Sequence, residues 1–164
     1  MIHSSLIYLE RGGEYLMLHR IKKKNDANKD KWIGVGGKFE PGETPEACAR
    51  REAFEETGLT MLSLRYRGIV HFSSDLYESE DMHLFTCDRF EGVLKECDEG
   101  ELVWLDRHEL LKKQIWEGDR IFLKLLDENR PFFDLSLVYQ GDSLKKAMLD
   151  GVELTLPFDF NSEL

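Results

Sequence analysis

The sequence predicts a layered α/β or α+β domain, and three observations lead to that prediction. Short apolar runs of strand length recur along the 164 residues, separated by turns that contain glycine or clustered polar residues. Three longer runs read as helices. Strands and helices are mixed without a regular βαβ repeat, which is typical of layered domains. Because no linker interrupts the pattern, we expect one domain over residues 1–164.

The N-terminal half begins with a predicted β-hairpin. SLIYLE at 5–10 and EYLMLHR at 14–20 are two apolar runs joined by the glycine turn RGG. A polar, lysine-rich loop follows and leads into the apolar run WIGV at 32–35. Further strands are expected at three apolar runs in the middle of the chain: 62–73, 81–90 and 100–105.

A helix is expected after the glycine-rich WIGVGG stretch. Thr44 or Glu43 can begin it, and Pro45 suits its first turn, where a missing N–H costs little. The helix should run to about residue 57 and stop at Gly58, which suits a left-handed C-terminal cap.

The C-terminal half predicts two more helices and a strand-rich end. DRHELLKKQ at 106–114 reads as a helix with Asp106 as its N-cap, and GDRIFLKLLDEN at 118–129 reads as another. Residues 131–158 read as strand, with a turn at 140–142.

Composition excludes several classes of function. The formal net charge of −10 and the pI near 5.0 oppose diffuse binding to a nucleic acid polymer, whose nonspecific affinity depends on neutralised phosphates. No apolar run approaches the ~20 residues of a membrane helix, and the N-terminus lacks the pattern of a signal peptide. Three cysteines form no C-x-x-C pair, so we expect reduced thiols in a cytoplasmic protein.

Three glutamates on the first predicted helix suggest a cation site. At ~100° per residue, Glu52, Glu55 and Glu56 share one face of about 100°. Ala47 and Phe54 fall near the opposite side and are expected to pack inward. The ordinary alternative is a solvated, charged helix face. The neighbouring glycines and lysines favour a site for Mg²⁺, which binds carboxylates together with substrate phosphates.

The same segment resembles the Nudix box, G-x5-E-x7-R-E-U-x-E-E-x-G-U. The matching residues run from Gly37 and Glu43 to the string REAFEETGL at 51–59, and Ala53 replaces a bulkier aliphatic residue. The resemblance implies an α/β/α sandwich with a mixed central sheet. It also implies Mg²⁺-dependent hydrolysis of a nucleoside diphosphate linked to another moiety, with Mn²⁺ as a substitute metal.

The resemblance assigns roles to the box residues. Glu55 and Glu56 would bind the metal, Glu52 would be a ligand or the base that activates water, and the backbone of Gly37 would add an oxygen. Arg51 would pair with Glu43 and orient the helix. Glu99, just before a predicted strand, matches the further acidic residue that completes such sites, although an ordinary acidic loop residue is an equal alternative.

Three further segments resemble the MutT-type branch, whose members hydrolyse oxidised purine nucleoside triphosphates such as 8-oxo-dGTP: WIGVGGK at 32–38, DEGELVWL at 98–105 and WEGDRIFLKLL at 116–126. Trp116 and Asp119 match a base-stacking tryptophan and a base-binding acid. A core tryptophan and an N-cap aspartate are the alternatives. Gly118 and Ile33 depart from relatives that carry an aspartate and an asparagine there.

The expected partner is therefore a small nucleotide. Lys38 or one of the loop lysines around Lys23 is expected to contact its phosphates. Other Nudix substrates stay open, namely ADP-ribose, a dinucleoside polyphosphate or a pterin triphosphate, as does a non-catalytic nucleotide-sensing domain. The sequence does not decide between a monomer and a homodimer.

Overall fold

The computed structural model describes residues 1–21 and 26–161, and in these it contains twelve strands and three helices. The strands are β1 Ile2–Arg11, β2 Glu14–His19, β3 Trp32–Ile33, β4 Val35–Lys38, β5 Leu59–Met61, β6 Arg65–Ser74, β7 Glu80–Cys87, β8 Phe90–Gly92, β9 Glu101–Asp106, β10 Phe133–Gln140, β11 Ser143–Leu149 and β12 Val152–Glu153. The helices are α1 Pro45–Thr57, α2 Arg107–Leu110 and α3 Glu117–Asp127.

One large mixed sheet organises the chain. Its strands follow the order β12-β11-β10-β6-β7-β1-β2-β3, with β4 also paired to β1 and β9 to β2. β1 runs parallel to β7, and β10 runs parallel to β6, whereas the other pairs in the sheet are antiparallel. The predicted hairpin is confirmed, although β1 and β2 pair only near the turn, at Glu10 and Arg11.

Helices cover the two faces of this sheet. Along β1, Tyr8 belongs to one buried cluster, which also contains the apolar side chains of α3. Its neighbours Ile7 and Leu9 point to the other face and join a second cluster, which contains Ala49 and Ala53 of α1. The predicted α/β/α sandwich with a mixed central sheet is therefore confirmed.

The ends of α1 follow the predicted signals. Thr44 is the N-cap, and its side-chain oxygen accepts a hydrogen bond from the backbone N–H of Ala47 at 3.1 Å. Gly58 closes the helix in the left-handed conformation, with φ 79°, and its N–H donates to the carbonyl of Phe54 at 2.8 Å.

The buried side of α1 differs from the prediction. Ala47 is exposed and Phe54 is 55% exposed, so the expectation that they pack inward is wrong. The buried residues are Cys48, Ala49, Ala53 and Thr57. The helix packs these small side chains on β1 and β4, which allows a close approach. The buried stripe lies beside the face that carries the glutamates. The glutamates therefore stand at the edge of the packed surface.

The segment after β9 is less helical than predicted. Asp106 does cap α2, accepting from the N–H groups of His108 and Glu109 at 2.8 and 3.2 Å. The helix nevertheless ends at Leu110 instead of continuing to residue 114. The next residues form turns in which an N–H donates to the carbonyl three positions earlier. The carbonyl of Gln114 then accepts from the N–H of Trp32 at 2.9 Å, which brings this segment next to β3.

Two predictions nearer the C-terminus have different outcomes. Asp119 is not an N-cap: α3 begins at Glu117 with Trp116 in the cap position, so Asp119 lies inside the first turn. The turn at 140–142 is confirmed, because β10 and β11 form an antiparallel hairpin around it. Within the described ranges, the structure contains no helix long and apolar enough to span a membrane.

Candidate active site

Two glycines of β4 bring the backbone against β1 and α1. A Cβ atom on Gly36 would lie 1.9 Å from the carbonyl oxygen of Ser5, so no side chain fits there without moving a strand. A Cβ atom on Gly37 would lie 2.4 Å from the carboxyl carbon of Glu52. The carboxylate of Glu52 therefore rests directly on the backbone of Gly37, and the glycine is what allows this contact.

Arg51 connects several carboxylates around these glycines. Its Nε and Nη2 donate to the two oxygens of Glu43 at 2.7 and 2.8 Å, a bidentate contact. Its Nη1 donates to Glu52 at 2.7 Å and to Glu55 at 3.1 Å. Hydrogen bonds from Arg51, and then from the N–H of Glu40, lower the pKa of Glu43 to about 2. The guanidinium thus fixes the loop before α1 to the middle of the helix.

Glu56 is the most deeply placed of the three helix glutamates. Its Oε2 accepts a hydrogen bond from the N–H of Gly36 at 3.2 Å. Burial raises its pKa to about 8, and the charges of Glu99 and Glu52 add to the increase. The same cause, burial, raises the pKa of Glu52, although Arg51 opposes it. A carboxylate destabilised in this way favours a nearby positive charge.

Glu99 reaches this cluster from the other side, next to β9. Arg20 Nη1 donates to Glu99 at 2.7 Å, and its Nε donates to Asp26 at the same distance. Gly100 allows the approach, because a Cβ atom there would lie 1.9 Å from the carbonyl of His19. Sequence reasoning missed Arg20; its position at the end of β2 carries no motif that could have identified it.

The carboxylates fit a hard divalent cation by their chemistry. Glu52, Glu56 and Glu99 influence one another electrostatically, and burial opposes the charge of the first two. These are oxygen donors of the kind that Mg²⁺ prefers. In this arrangement of residues 1–21 and 26–161, no three acidic, histidine or cysteine side chains converge on one metal position. Arg51 Nη1 contacts one oxygen of Glu52 and one oxygen of Glu55, so a cation bound here would share these carboxylates with the guanidinium.

Trp116 and Asp119 lie together at the start of α3. The indole N–H of Trp116 donates to the side-chain oxygen of Asn28 at 2.6 Å, and Lys31 Nζ lies 4.4 Å from the centre of the ring. Asp119 is 7% exposed, and burial raises its pKa to about 8, against the opposing charges of Arg120 and Lys31. Asn28 and Lys31 belong to the polar loop and were not singled out for this contact from the sequence.

The remaining sides of the tryptophan are packed against the core. Trp116 is 9% exposed and meets Phe72 and Tyr139 edge-on, with centroid distances of 5.9 and 5.1 Å. Trp116 therefore has the contacts of a core residue on these sides. Lys31 lies over the face of its ring, and Asn28 accepts from its N–H.

The two departures from relatives of the MutT type also lie in this region. The N–H of Gly118 donates to the hydroxyl of Tyr139 at 2.8 Å. A Cβ atom on Gly118 would lie 2.4 Å from Leu137 Cδ1, so an aspartate does not fit there as the chain is packed. Ile33 packs against the cluster that contains Trp116. In this region the buried carboxyl of Asp119 therefore lies near an apolar wall that includes Ile33.

The predicted phosphate contacts are less defined. Lys38 is exposed, and its backbone carbonyl accepts from Arg51 at 3.1 Å. Lys23 lies outside the described residues.

Comparisons with known proteins are consistent among themselves. A family model described as the NUDIX domain matches residues 3–126. The chain is 35% identical over 133 residues to an oxidized purine nucleoside triphosphate hydrolase of Danio rerio. The aligned segment covers 80% of this chain and 85% of the relative. It is 32% identical over 111 residues to a protein of the same description from Mus musculus, covering 67% and 71% of the two chains.

Solved structures agree with this match. The MutT protein of Bacillus halodurans superposes with a TM-score of 0.81 over 92% of this chain and 98% of that chain, and its 24% identity supports the fold alone. The MutT protein of Methanosarcina mazei Go1 gives a TM-score of 0.69 at 27% identity, over 78% of this chain and 94% of that chain. The family expected from the Nudix box is confirmed: the chain belongs to the Nudix hydrolase family.

Proposed function

We propose that the protein is a Mg²⁺-dependent pyrophosphohydrolase of oxidised purine nucleoside triphosphates, with Mn²⁺ as a substitute metal. The observation that carries the proposal is the carboxylate cluster of Glu52, Glu56 and Glu99, where burial raises the pKa of the first two beside a glycine backbone. The names of the relatives from Danio rerio and Mus musculus support the class of substrate.

The proposed metal site uses Glu52, Glu55, Glu56, Glu99 and the carbonyl of Gly37. A bound cation would neutralise charge on the triphosphate and lower the pKa of an attacking water. Glu56 has lost much of its hydration, so a cation beside it restores the ionised form at neutral pH. Among these residues Glu55 is the most exposed, and its contact with Arg51 is one that it can leave at small energetic cost.

The reaction itself requires a base and a fixed geometry. Water attacks a phosphorus of the triphosphate chain, the bond that joins the nucleoside monophosphate to the pyrophosphate part breaks, and the proton of the water passes to a carboxylate. Glu52 and Glu99 are the candidate bases, and the raised pKa of Glu52 makes it a stronger proton acceptor than an ordinary glutamate. Arg51 and Glu43 act as positioning residues, because they fix the loop that follows Gly37 to α1.

The nucleobase is proposed to bind at Trp116 and Asp119. With a pKa near 8, the Asp119 carboxyl holds a proton at neutral pH and offers one donor and one acceptor to a base edge. Lys31 lies over the indole, so a stacked base has to displace its ammonium group or share the ring with it. Lys38 and Lys23 are proposed phosphate contacts, since Lys38 ends the glycine-rich strand β4 and Lys23 belongs to the lysine-rich sequence before it.

A second candidate is a Nudix hydrolase with a different substrate, such as ADP-ribose, a dinucleoside polyphosphate or a pterin triphosphate. The packing at Gly118 and the apolar Ile33 favour it, because both reduce the number of polar groups that read a purine edge. A nucleotide-sensing domain without catalysis is the third alternative, and the complete set of box glutamates argues against it.

The discriminating experiment is a substrate panel in Mg²⁺. It contains 8-oxo-dGTP, dGTP, ADP-ribose and a dinucleoside polyphosphate, and pyrophosphate and phosphate release are followed separately. The proposal expects 8-oxo-dGTP to have the highest kcat/KM, with pyrophosphate as the product. A preference for ADP-ribose or a dinucleoside polyphosphate would reject the substrate and leave the hydrolase family standing. Binding without any turnover would favour the sensor.

Two further parts of the proposal concern organisation. We propose one domain over residues 1–164, which is supported by β10 and β11, since they extend the same sheet beyond residue 126. A cytoplasmic location is supported by the buried thiols of Cys48 and Cys87, which form no disulfide bond within the described residues. The choice between a monomer and a homodimer stays open.

A further inference from the structure

A second cavity lies apart from the candidate active site, and the geometry points to a binding site there for a small phosphate-bearing molecule. The cavity has a volume of about 410 Å³, which is within the usual range of ligand pockets. Arg65, Arg67 and Arg107 line it. No residue proposed above for metal, phosphate or nucleobase binding belongs to its lining, so the inference does not depend on the proposed function.

The fold places this cavity at the far end of β1. Glu10, at the end of that strand, lines the cavity, whereas Ser5 pairs with Gly37 at the candidate active site. Five strand positions separate the two residues, about 16 Å along the strand. The C-terminal end of α3, with Asn129, closes another side of the cavity.

Arg67 is the unusual residue of the cavity. It is 6% exposed, and its guanidinium donates only to neutral oxygens: to Thr86 Oγ1 at 3.1 Å and to Asn129 Oδ1 at 3.3 Å. Arg65 Nη1 donates to the same oxygen of Asn129 at 2.7 Å. Two guanidinium groups thus share one amide oxygen. Buried charges in proteins are ordinarily paired with an opposite charge, so the buried guanidinium of Arg67 is costly without an anion.

The carboxylates of the cavity have their partners within its own lining, at Arg107 and Ser63. Glu10 and Asp127 form long ion pairs with Arg107, at 3.9 and 3.7 Å. Asp88 accepts from Ser63 at 2.9 Å. In the part of the chain that the structure describes, the ion pairs of this cavity are those of Arg107, and none involves Arg65 or Arg67.

Arg107 is the third arginine of the cavity lining. Its Nε is buried and has no hydrogen-bond partner in the described structure. An unpaired buried N–H costs free energy, and because this atom has almost no solvent exposure, a ligand oxygen would reach it only if the side chain shifted. In the described residues, the guanidinium groups of Arg65 and Arg67 therefore lack an ion pair and line one volume together with Arg107.

The electrostatics of Arg67 are consistent with a missing anion. Burial, and then the charge of Arg65, lowers the pKa of the Arg67 guanidinium, although Tyr15 and Glu10 oppose this change. An anion between the two arginines would offset both effects. The planar fork of a guanidinium matches the oxygens of a phosphate group, which it binds in a bidentate manner. The volume exceeds that of a bare phosphate and leaves room for a small organic group attached to it.

Calorimetric titration tests the proposal with inorganic phosphate and ribose 5-phosphate as probes. Chelator is present throughout, so that no divalent cation can recruit phosphate to the glutamate cluster. The variants are Arg65→Gln, Arg67→Gln, Glu52→Gln and Arg89→Gln. Arg89 is an exposed arginine outside the cavity lining and serves as the matched control.

The expected result is saturable binding of ribose 5-phosphate to the wild type, the Glu52→Gln variant and the Arg89→Gln variant. Arg65→Gln should weaken it by about tenfold or more, because a hydrogen bond to a charged group is lost. Because Arg65 is exposed, the Arg65→Gln variant should fold. Its affinity for ribose 5-phosphate therefore tests the proposed site even if Arg67→Gln does not fold. No saturable binding, equal affinity in Arg65→Gln and Arg89→Gln, or loss of binding in Glu52→Gln would overturn the proposal. Hydrolysis by Arg65→Gln, measured separately, reports on the proposed function alone.

Discussion

Arg51 donates to both carboxylate oxygens of Glu43, at 2.7 and 2.8 Å, and thereby connects the loop before α1 to the helix that carries the glutamate cluster. A bidentate contact of this kind depends on the planar guanidinium, which lysine lacks. Arg51 also touches Glu52 and Glu55, so the same side chain sets the resting position of two proposed metal ligands.

Replacing Arg51 with lysine should reduce kcat by about 10- to 100-fold, since groups that orient metal ligands typically contribute that much. The positive charge remains, but the fork that holds Glu43 is lost. Steady-state kinetics at several Mg²⁺ concentrations measure the effect. The control is Arg50→Lys: Arg50 is the adjacent residue and pairs with Glu46 on the exposed side of the helix. Equal activities of the two variants would mean that the Arg51–Glu43 contact has no positioning role.

Gly37→Ala should lower activity more than it lowers stability. The new methyl group would lie 2.4 Å from the carboxyl carbon of Glu52 and push that side chain away from its position. We expect a loss of kcat of about 100-fold, comparable to the displacement of a reacting group by about 1 Å. Activity and thermal unfolding are measured in parallel. Gly42→Ala is the control, because no atom lies within 4 Å of its Cβ position; its left-handed φ of 78° predicts reduced stability and retained activity.

The pH dependence of stability should change when Asp119 is replaced by asparagine. The folded pKa of about 8 lies above the ordinary value of 3.8, so between these values the folded state binds more protons than the unfolded state. Wild-type stability should therefore fall as pH rises from about 4 to 8, and level off above that range. From pH 5 to pH 8 the decrease due to Asp119 is on the order of 3 kcal/mol.

Denaturant unfolding at several pH values measures this contribution. The difference in free energy of unfolding between Asp119→Asn and the wild type should shift in favour of the variant as pH rises. A pH-independent difference would show that the Asp119 carboxyl is ionised in the folded protein at neutral pH.

Trp116→Ala should raise KM for a purine triphosphate by about tenfold, because stacking on an aromatic ring contributes ~1–3 kcal/mol per base. Trp116→Phe keeps an aromatic face but loses the hydrogen bond to Asn28, so a smaller increase is expected. Inhibition by inorganic pyrophosphate, which has no base, should be the same in both variants and the wild type. A parallel loss of pyrophosphate inhibition would instead indicate that Trp116 acts through the packing of the core.

Local signals in the sequence were enough to predict the ends of α1 and the turn between β10 and β11. Each cap depends on a contact between residues at most four positions apart, Thr44 with Ala47 and Gly58 with Phe54. Such local contacts can be predicted from the sequence without knowledge of the fold. The buried side of α1 depends on which surface meets β1 and β4. Helical geometry alone put Ala47 and Phe54 inside, and that expectation failed.

The contacts of the glutamate cluster and of Trp116 could not be predicted, because they join residues far apart in the sequence. Arg20 meets Glu99 across 79 positions of sequence, and Trp116 meets Asn28 across 88. Such pairs are brought together by strand order, and neither Arg20 nor Asn28 belongs to a motif. Glu52, Glu55 and Glu56, in contrast, are four or fewer positions apart on one helix, and their common face follows from helical geometry.

The most direct test of the proposed function is pyrophosphate release from 8-oxo-dGTP in Mg²⁺ by the wild type and by Glu52→Gln. The substitution keeps the shape of the side chain and removes its charge, so the fold should persist, as judged by circular dichroism. We expect pyrophosphate and the nucleoside monophosphate from the wild type, no turnover in the presence of chelator, and turnover reduced by about 10³-fold or more in the variant. Near-normal turnover by Glu52→Gln, or activity that survives complete removal of divalent cations, would contradict it.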